Sequence, residues 1–185
     1  ADGYTLLMGS SGTLAINPSL YPRLSYHPVR DFAPIILIAS TPYVLTAHPS
    51  LPVHGVKELI ALARQRPGEL TWSYGGSPSQ LAVELFKKTA GVNLIPVPYK
   101  GNAPAITAAI SGEVEFAFSD PTAAMPLVRD GRLRLLASTG TRRSAFLPPE
   151  VPTVAESGLP GFSVEVWFGV FAPRGTPPDI VRKVN

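Results

Sequence analysis

The feature that most constrains the fold is an alternation of strand-like and helix-like segments between residues 70 and 138. Four short apolar runs of strand length, at 70–74, 94–99, 114–118 and 133–138, are separated by three segments that carry helix start and stop signals. The resulting βαβαβαβ order predicts parallel strands joined by right-handed crossovers. The sequence therefore predicts an α/β fold.

The three helices of this repeat are predicted to begin at capping residues. Ser77 has the features of an N-cap, with Pro78 as the first helical residue and Gln80 completing a capping box. Asn102 and Asp120 are predicted to cap the next two helices, and each helix is predicted to end at a glycine. The inward face of the first helix is predicted to comprise Leu81, Ala82, Leu85 and Phe86.

The segments outside the repeat suggest a second lobe. Residues 55–66 form an amphipathic pattern with Val56, Leu59, Ile60 and Ala63 on one face. A short helix is expected after Ser11, and Thr153 with Glu156 forms a second capping box. Two extended segments, 35–47 and 164–171, bracket the repeat, as strands crossing between lobes would. We therefore divide the chain into a first lobe of residues 1–44 and 166–185 and a second lobe of residues 45–165.

Composition excludes several classes of function. The 185 residues are 45% hydrophobic, enough to bury a core, and the net charge of +3 comes from scattered Lys and Arg, unlike the gathered basic face of a nucleic-acid-binding protein. Without cysteine there is no disulfide, catalytic thiolate or zinc–cysteine site. His27, His48 and His54 lack metal-ligand spacing, and no nucleotide-binding or nucleophile-elbow motif is present. We therefore expect binding without turnover, with no metal and no cofactor.

The ends of the chain suggest a piece of a longer protein. No apolar run approaches the ~18 residues of a membrane span, and the start has none of the features of a signal peptide. The chain opens directly into a strand-like run and stops inside a helix-like pattern.

The stretch SYGGSPSQLA, residues 73–82, contains no acid, base or histidine. In a parallel α/β sheet the helix N-termini line the carboxyl edge, where their unpaired N–H groups attract anions. Small residues let an anion approach such amides closely. The loop from Ser10 to Thr13 has the same character, so the two loops together predict an anion site.

Structural alternatives remain open for each of these residues. Ser77 and Asp120 serve equally as plain helix caps, and Gly75 with Gly76 as a tight turn. Asp120 would otherwise accept a hydrogen bond from a ligand hydroxyl or amine. Lys100 either pairs with a carboxylate or is a solvated lysine in a loop.

Seven segments, taken in order, resemble the Bug/TctC family, the periplasmic substrate-binding proteins of tripartite tricarboxylate transporters. They are ADGYTLLMGSSGTLAINPSLY (1–21), DFAPI (31–35), HPSLPV (48–53), VKELIALAR (56–64), PGELTWSYGGSPSQLAVELF (67–86), VPYKGNAPAITAAISGEVEFAF (97–118) and VPTVAESGLPGFSVEVWFGVFAPRGTP (151–177). They are spread over essentially the whole chain, and the ordered set is specific although each piece alone is weak.

The resemblance implies a two-lobed, type II Venus-flytrap fold and a precursor with a signal peptide. It also implies a monomeric periplasmic protein without cofactor that delivers a small carboxylate to the membrane subunits of a transporter or to a sensor protein. In such proteins, loops of both lobes hold the ligand through backbone amides, hydroxyls and waters. The matching ligand-binding positions are Ser10, Ser11, Gly12, Thr13, Gly76, Ser77, Ser79, Tyr99, Lys100, Gly101, Ser119 and Asp120.

The chain departs from the family pattern in two ways. Its loop at Tyr74, Gly75 and Gly76 is shorter than the usual glycine-rich version, and the family's first strand, its proline-glycine-glycine loop and its last helices are absent, so the first lobe is expected to be incomplete. An alternative function is the cytoplasmic effector-sensing domain of a bacterial transcription regulator, which has a similar two-lobed design. An enzyme of unrecognised type is the third possibility.

Overall fold

The computed structural model describes residues 5–185 and divides the chain into two compact units. Unit 1 consists of the residues up to Thr41 together with Val166–Asn185, and unit 2 is Pro42–Glu165. The chain therefore passes between the units twice, and residues 42–44 belong to unit 2. Within residues 5–185, no helix is both long and apolar enough to cross a bilayer.

The elements alternate along the chain as the sequence predicted. The strands are β1 (Leu7–Ser10), β2 (Phe32–Pro42), β3 (Val44–Ala47), β4 (Thr71–Tyr74), β5 (Ile95–Pro98), β6 (Phe116–Ser119), β7 (Arg134–Ser138) and β8 (Glu165–Pro173). The helices are α1 (Asn17–Leu20), which follows a π-helical turn at Gly12–Ile16, then α2 (Val56–Gln65), α3 (Ser77–Ala90), α4 (Asn102–Ser111), α5 (Pro121–Arg129) and α6 (Pro178–Val184). The α/β class is confirmed.

The sheet of unit 2 has the strand order β5-β4-β6-β3-β7. β4 runs parallel to β5 and β6, as the repeat predicts, whereas β3 lies between β6 and β7 and is antiparallel to both. All four residues of β3 are buried, so it is a central strand. The four strands of the repeat therefore run in one direction, as predicted, although β3, a strand from outside the repeat, separates β6 from β7.

Two of the predicted helix caps were wrong by one residue. The N-caps of α3 and α4 are Gly76 and Gly101, so Ser77 and Asn102 are already helical, and neither helix has a side-chain cap. α5 does begin after Asp120, yet the Asp120 side chain makes no capping hydrogen bond. Glycine has no side chain, so neither helix starts with a polar cap, and only Gly101, with φ 107°, has a backbone conformation that favours glycine.

The capping box at Thr153 and Glu156 is confirmed by two hydrogen bonds. The Thr153 N–H donates to the Glu156 carboxylate at 2.8 Å, and the Glu156 N–H donates to the Thr153 hydroxyl at 3.1 Å. A turn follows the box instead of the brief helix that we expected.

The core of unit 2 lies between its sheet and its helices. Val56, Leu59, Ile60 and Ala63 of α2 are all buried, as predicted. α3 buries Ala82, Val83 and Phe86, whereas Leu81, which we expected to face inward, is 44% exposed. The buried face of α3 thus differs slightly from the predicted face, and it begins with Ser79 in the first turn.

Unit 1 contains a three-stranded sheet in the order β1-β8-β2. β1 is antiparallel to β8, with Leu7 opposite Phe171 and Ser10 opposite Phe168. Both outer strands carry exposed apolar side chains, including Met8 at 66% and Leu37 at 62% exposure. Unit 1 therefore buries its strands less completely than unit 2 does.

This difference predicts the order of amide protection. Phe116–Ser119 is a fully buried strand between two neighbours, whereas Leu7–Ser10 has one neighbour and exposed side chains. We expect slower amide hydrogen exchange in β6 than in β1, since local opening is easiest where few buried contacts hold a strand. Exchange measured by NMR or mass spectrometry checks this, and faster exchange in β6 would contradict the assignment of unit 2 as the better-packed unit.

Candidate functional site

All eight predicted ligand-binding residues of unit 2 lie along one edge of its sheet. β4, β5 and β6 are parallel, so their carboxyl ends meet at the same edge, and each is followed by the start of a helix. We call residues 75–79, 99–102 and 119–120 together the carboxyl edge. The structure thus gathers eight sequence-predicted residues in one place: Gly76, Ser77, Ser79, Tyr99, Lys100, Gly101, Ser119 and Asp120.

The two glycines that follow β4 have different roles. A side chain on Gly75 would overlap the carbonyl group of Gly101 and lie 2.5 Å from the amide nitrogen of Asn102. A Cβ on Gly76 would meet, among residues 5–185, only the Cδ of Pro78, at 3.8 Å. Gly75 is therefore required by packing against the start of α4, whereas Gly76 leaves open space in front of α3.

The N-terminus of α3 presents backbone amides to this space. The first hydrogen bond of the α3 backbone runs from the Gln80 N–H, which donates to the Gly76 carbonyl at 3.1 Å. Pro78 has no N–H, and the Ser79 hydroxyl is turned back to the Gly76 carbonyl at 2.9 Å. The Ser79 amide consequently has no acceptor inside the helix, and the helix dipole adds positive potential at that point.

Ser119 and Asp120 bring side-chain oxygens to the same edge. Ser119 is only 7% exposed, and its hydroxyl has no hydrogen-bond partner within residues 5–185. Asp120 is half-buried, and burial raises the pKa of its carboxyl group above the ordinary value. Neither side chain is paired within residues 5–185, so each has a polar oxygen that a ligand atom or water can bind.

Sequence reasoning missed Tyr43 as a residue of this edge. Tyr43 is 3% exposed, shares a hydrogen bond with the Asn102 side chain and lies within electrostatic range of Asp120. Burial and the Asp120 carboxylate raise the pKa of Tyr43 to about 12, against the lowering effect of the bond with Asn102. The phenol is therefore neutral near pH 7.

Thr139 holds Tyr43 in place. The buried Thr139 hydroxyl accepts a hydrogen bond from the Tyr43 N–H at 2.8 Å and donates one to the Val164 carbonyl at 2.5 Å. No local signal in the sequence distinguishes Tyr43 or Thr139. Both reach this edge because β3 runs antiparallel beside β6 and β7.

Tyr99 and Lys100 differ in what they offer to a ligand. The Tyr99 hydroxyl donates to Glu113, beyond the far end of α4, at 2.7 Å. Lys100 is exposed and makes no ion pair within the described part of the chain. The structure thus leaves the Lys100 amine available at the edge and engages the Tyr99 hydroxyl elsewhere.

The predicted residues of unit 1 form a compact turn after β1. The Ser10 N–H donates to the Thr13 hydroxyl at 3.0 Å, and the Thr13 hydroxyl lies 3.2 Å from the Ser10 carbonyl. Gly12 is buried within the π-helical turn. Ser11 is 4% exposed, and its hydroxyl is buried without a hydrogen-bond partner among residues 5–185. This turn therefore contains a buried oxygen that no described residue satisfies.

Other parts of the described chain give no second candidate of this kind. A cavity of about 680 Å³ lies at the opposite edge of the unit 2 sheet, between the second half of α5, the start of β7 and residues 146–151. Among residues 5–185 there is no group of three or more His, Asp or Glu side chains that would suit a metal ion.

Comparison with known families gives a match over the whole chain. The family model described as "Tripartite tricarboxylate transporter family receptor" matches residues 1–185. The chain spans about half the length of the curated relatives it matches, since 188 aligned residues cover 100% of this chain and 55% or 57% of two relatives that are each 38% identical to it.

Solved structures agree with this match. The Rhodopseudomonas palustris protein Rpa4515, solved with adipate, is 43% identical, with a TM-score of 0.92 over 99% of this chain and 62% of its own. MatC from the same organism, solved with bound malate, is 34% identical, with a TM-score of 0.87 over 99% of this chain and 63% of its own. The periplasmic binding protein BugD is 32% identical, with a TM-score of 0.87 over 99% and 61%.

Proposed function

Because this chain belongs to the tripartite tricarboxylate transporter receptor family, we propose that the protein is a solute-binding protein that captures a small organic carboxylate for such a transporter. The family and the solved neighbours are binding proteins and not enzymes. The type II binding-protein fold is shared with them.

The observation that carries the proposal is the carboxyl edge of unit 2. The helices α3 and α4 both start there without a side-chain cap, and the Asp120 side chain does not cap α5. Helix N-termini of this kind attract anions through backbone N–H groups and the helix dipole. A carboxylate fits the open space in front of Gly76, where the Ser79 amide has no acceptor inside its helix.

Buried hydroxyls in each unit support the same conclusion. Ser119 in unit 2 and Ser11 in unit 1 are both more than nine-tenths buried, and neither hydroxyl has a partner among residues 5–185. Polar groups in this state require a ligand atom or water. The twelve sequence-predicted residues remain our proposed ligand-binding set, with Tyr43 and Asn102 added from the structure.

The cellular setting belongs to the proposal as well. Relatives such as BugD support a periplasmic location, with membrane subunits of a transporter or a sensor protein as partners. Solved relatives hold adipate and malate, both of which are small dicarboxylates. These likenesses favour solute capture over an effector-sensing domain of a transcription regulator.

A thermal-shift screen tests the proposed function. We expect the whole protein that carries this sequence to be stabilised by one or more mono- or dicarboxylates, because a ligand that binds only the folded state raises the unfolding temperature. Sugars and organic cations are the matched controls. Stabilisation by these controls and by no carboxylate would overturn the proposal.

A further inference from the structure

Asp120 carries a negative charge that the fold does not use. The residue precedes α5, where a carboxylate normally accepts hydrogen bonds from the first helical amides, yet its side chain makes no such bond. The Asp120 carboxylate has no hydrogen-bond partner elsewhere in the described chain, and the residue is half-buried. A half-buried charge without a partner lowers the stability of the fold, so the folded structure alone does not explain an acid at this position.

The groups around Asp120 do not neutralise it. Asp120 acts electrostatically on Tyr43, which is buried, neutral and hydrogen-bonded to Asn102. Lys100 stands on the same edge, but it is exposed and forms no ion pair with Asp120. The corner formed by Tyr43, Asn102 and Asp120 thus keeps one unpaired hydrogen-bond acceptor.

A second observation marks the same corner as a place where a ligand atom belongs. Ser119, the last residue of β6, is only 7% exposed, and its hydroxyl lacks a partner in residues 5–185. A hydroxyl can donate or accept, whereas an ionised carboxylate only accepts. A ligand group that donates to Asp120 while it contacts the Ser119 hydroxyl would satisfy both.

We propose that Asp120 selects ligands that carry a hydrogen-bond donor in addition to their carboxylate, that is, hydroxy- or amino-carboxylates in preference to plain carboxylates of the same chain length. This inference rests on the proposed function. A hydroxyl or ammonium group donates to the Asp120 carboxylate, whereas a second ionised carboxylate placed there would be repelled by it. The family does not decide this point, because its solved members hold both adipate, which lacks such a donor when ionised, and malate, which has a hydroxyl.

The test is titration calorimetry of the whole protein with matched ligands. Each pair has the same carbon chain and differs by one hydroxyl or amino group, such as succinate with malate or aspartate, and glutarate with 2-hydroxyglutarate or glutamate. At the chain length that binds best, we expect the donor-bearing ligand to bind about tenfold more tightly or better, the effect of one hydrogen bond to a charged group.

The variant Asp120→Asn removes the charge and keeps the shape. We expect Asp120→Asn to lower the affinity for the donor-bearing ligand and to keep or raise the affinity for the plain carboxylate. The ratio of the two affinities should therefore come close to one. Asp130→Asn is the matched control, because Asp130 is an exposed acid at the other end of α5, and it should keep the wild-type ratio.

The outcomes separate the two proposals. Equal affinity of the wild-type protein for both members of every pair would overturn this inference and leave the proposed function intact. An unchanged ratio in Asp120→Asn would do the same. Failure of every carboxylate to bind would overturn both. The wild-type ratio needs no variant, so it decides the question even if Asp120→Asn does not fold.

Discussion

Replacing Gly76 by valine is expected to leave unit 2 folded and to lower the affinity of the protein for a carboxylate about a hundredfold. The backbone at Gly76 is extended, with φ −178° and ψ 169°, and a side chain there meets only Pro78 Cδ at 3.8 Å. The valine would fill the space through which an anion reaches the amides of α3. Losing one or two hydrogen bonds to a charged group, at about 1.5–3 kcal/mol each, corresponds to a change of this size.

Gly55 offers a matched control for this experiment. It is the N-cap of α2, its backbone is extended with φ −168° and ψ 173°, and no atom lies within 4 Å of an added side chain. Gly55→Val should therefore destabilise the start of α2 about as much as Gly76→Val destabilises the start of α3. Its carboxylate affinity should stay at the wild-type value. Calorimetric titration of both variants makes the comparison. Wild-type affinity in Gly76→Val would show that the ligand does not approach the backbone at this point.

Replacing Gly75 by alanine is expected to destabilise unit 2 by about 3 kcal/mol or more, a large effect for so small a side chain. The added methyl group would overlap the carbonyl of Gly101 and press on the amide of Asn102. Both are backbone atoms, so relief requires movement of the start of α4. Because α4 packs on β4 and β6, such movement disturbs the core of the unit.

The neighbouring variant Gly76→Ala provides the control for Gly75→Ala. Its methyl group enters open space, so its free energy of unfolding should fall by no more than the cap effect of about 1 kcal/mol. Urea denaturation of the two variants, followed by tryptophan fluorescence from the buried Trp72, measures the difference. Equal midpoints would show that the approach of Gly75 to Gly101 is not a constraint on the fold.

Local sequence signals predicted the elements of the fold with few errors. The face of α2 was correct because its apolar spacing is regular, and the glycines at 91 and 112 adopt the left-handed backbone expected at helix ends. The start of α3 was misplaced because Ser77 and Gln80 match the pattern of a capping box. The glycine before them nevertheless serves as the N-cap, and no side-chain bond decides the boundary.

Some candidate site residues were predicted from residue type, whereas Tyr99, Gly101 and Ser119 were predicted only from the family resemblance. The small-residue loops were found because they lack other chemistry, and Asp120 because an acid stands out at a strand end. Tyr43 could not be found, since an aromatic residue beside a buried strand is ordinarily part of the core. Whether Asp120 caps α5 or stays unpaired was likewise undecided, because both outcomes are compatible with the same local sequence.

The sequence by itself determined that this chain is an α/β protein with several helix N-termini along one sheet edge. These properties depend on periodicity, on glycine and proline, and on residue types, all of which act over a few positions. Only the tertiary structure decided that β3 enters between β6 and β7, which brings Tyr43 near Asn102 and Asp120. Strand order is set by contacts between residues distant in the chain, so no short segment encodes it.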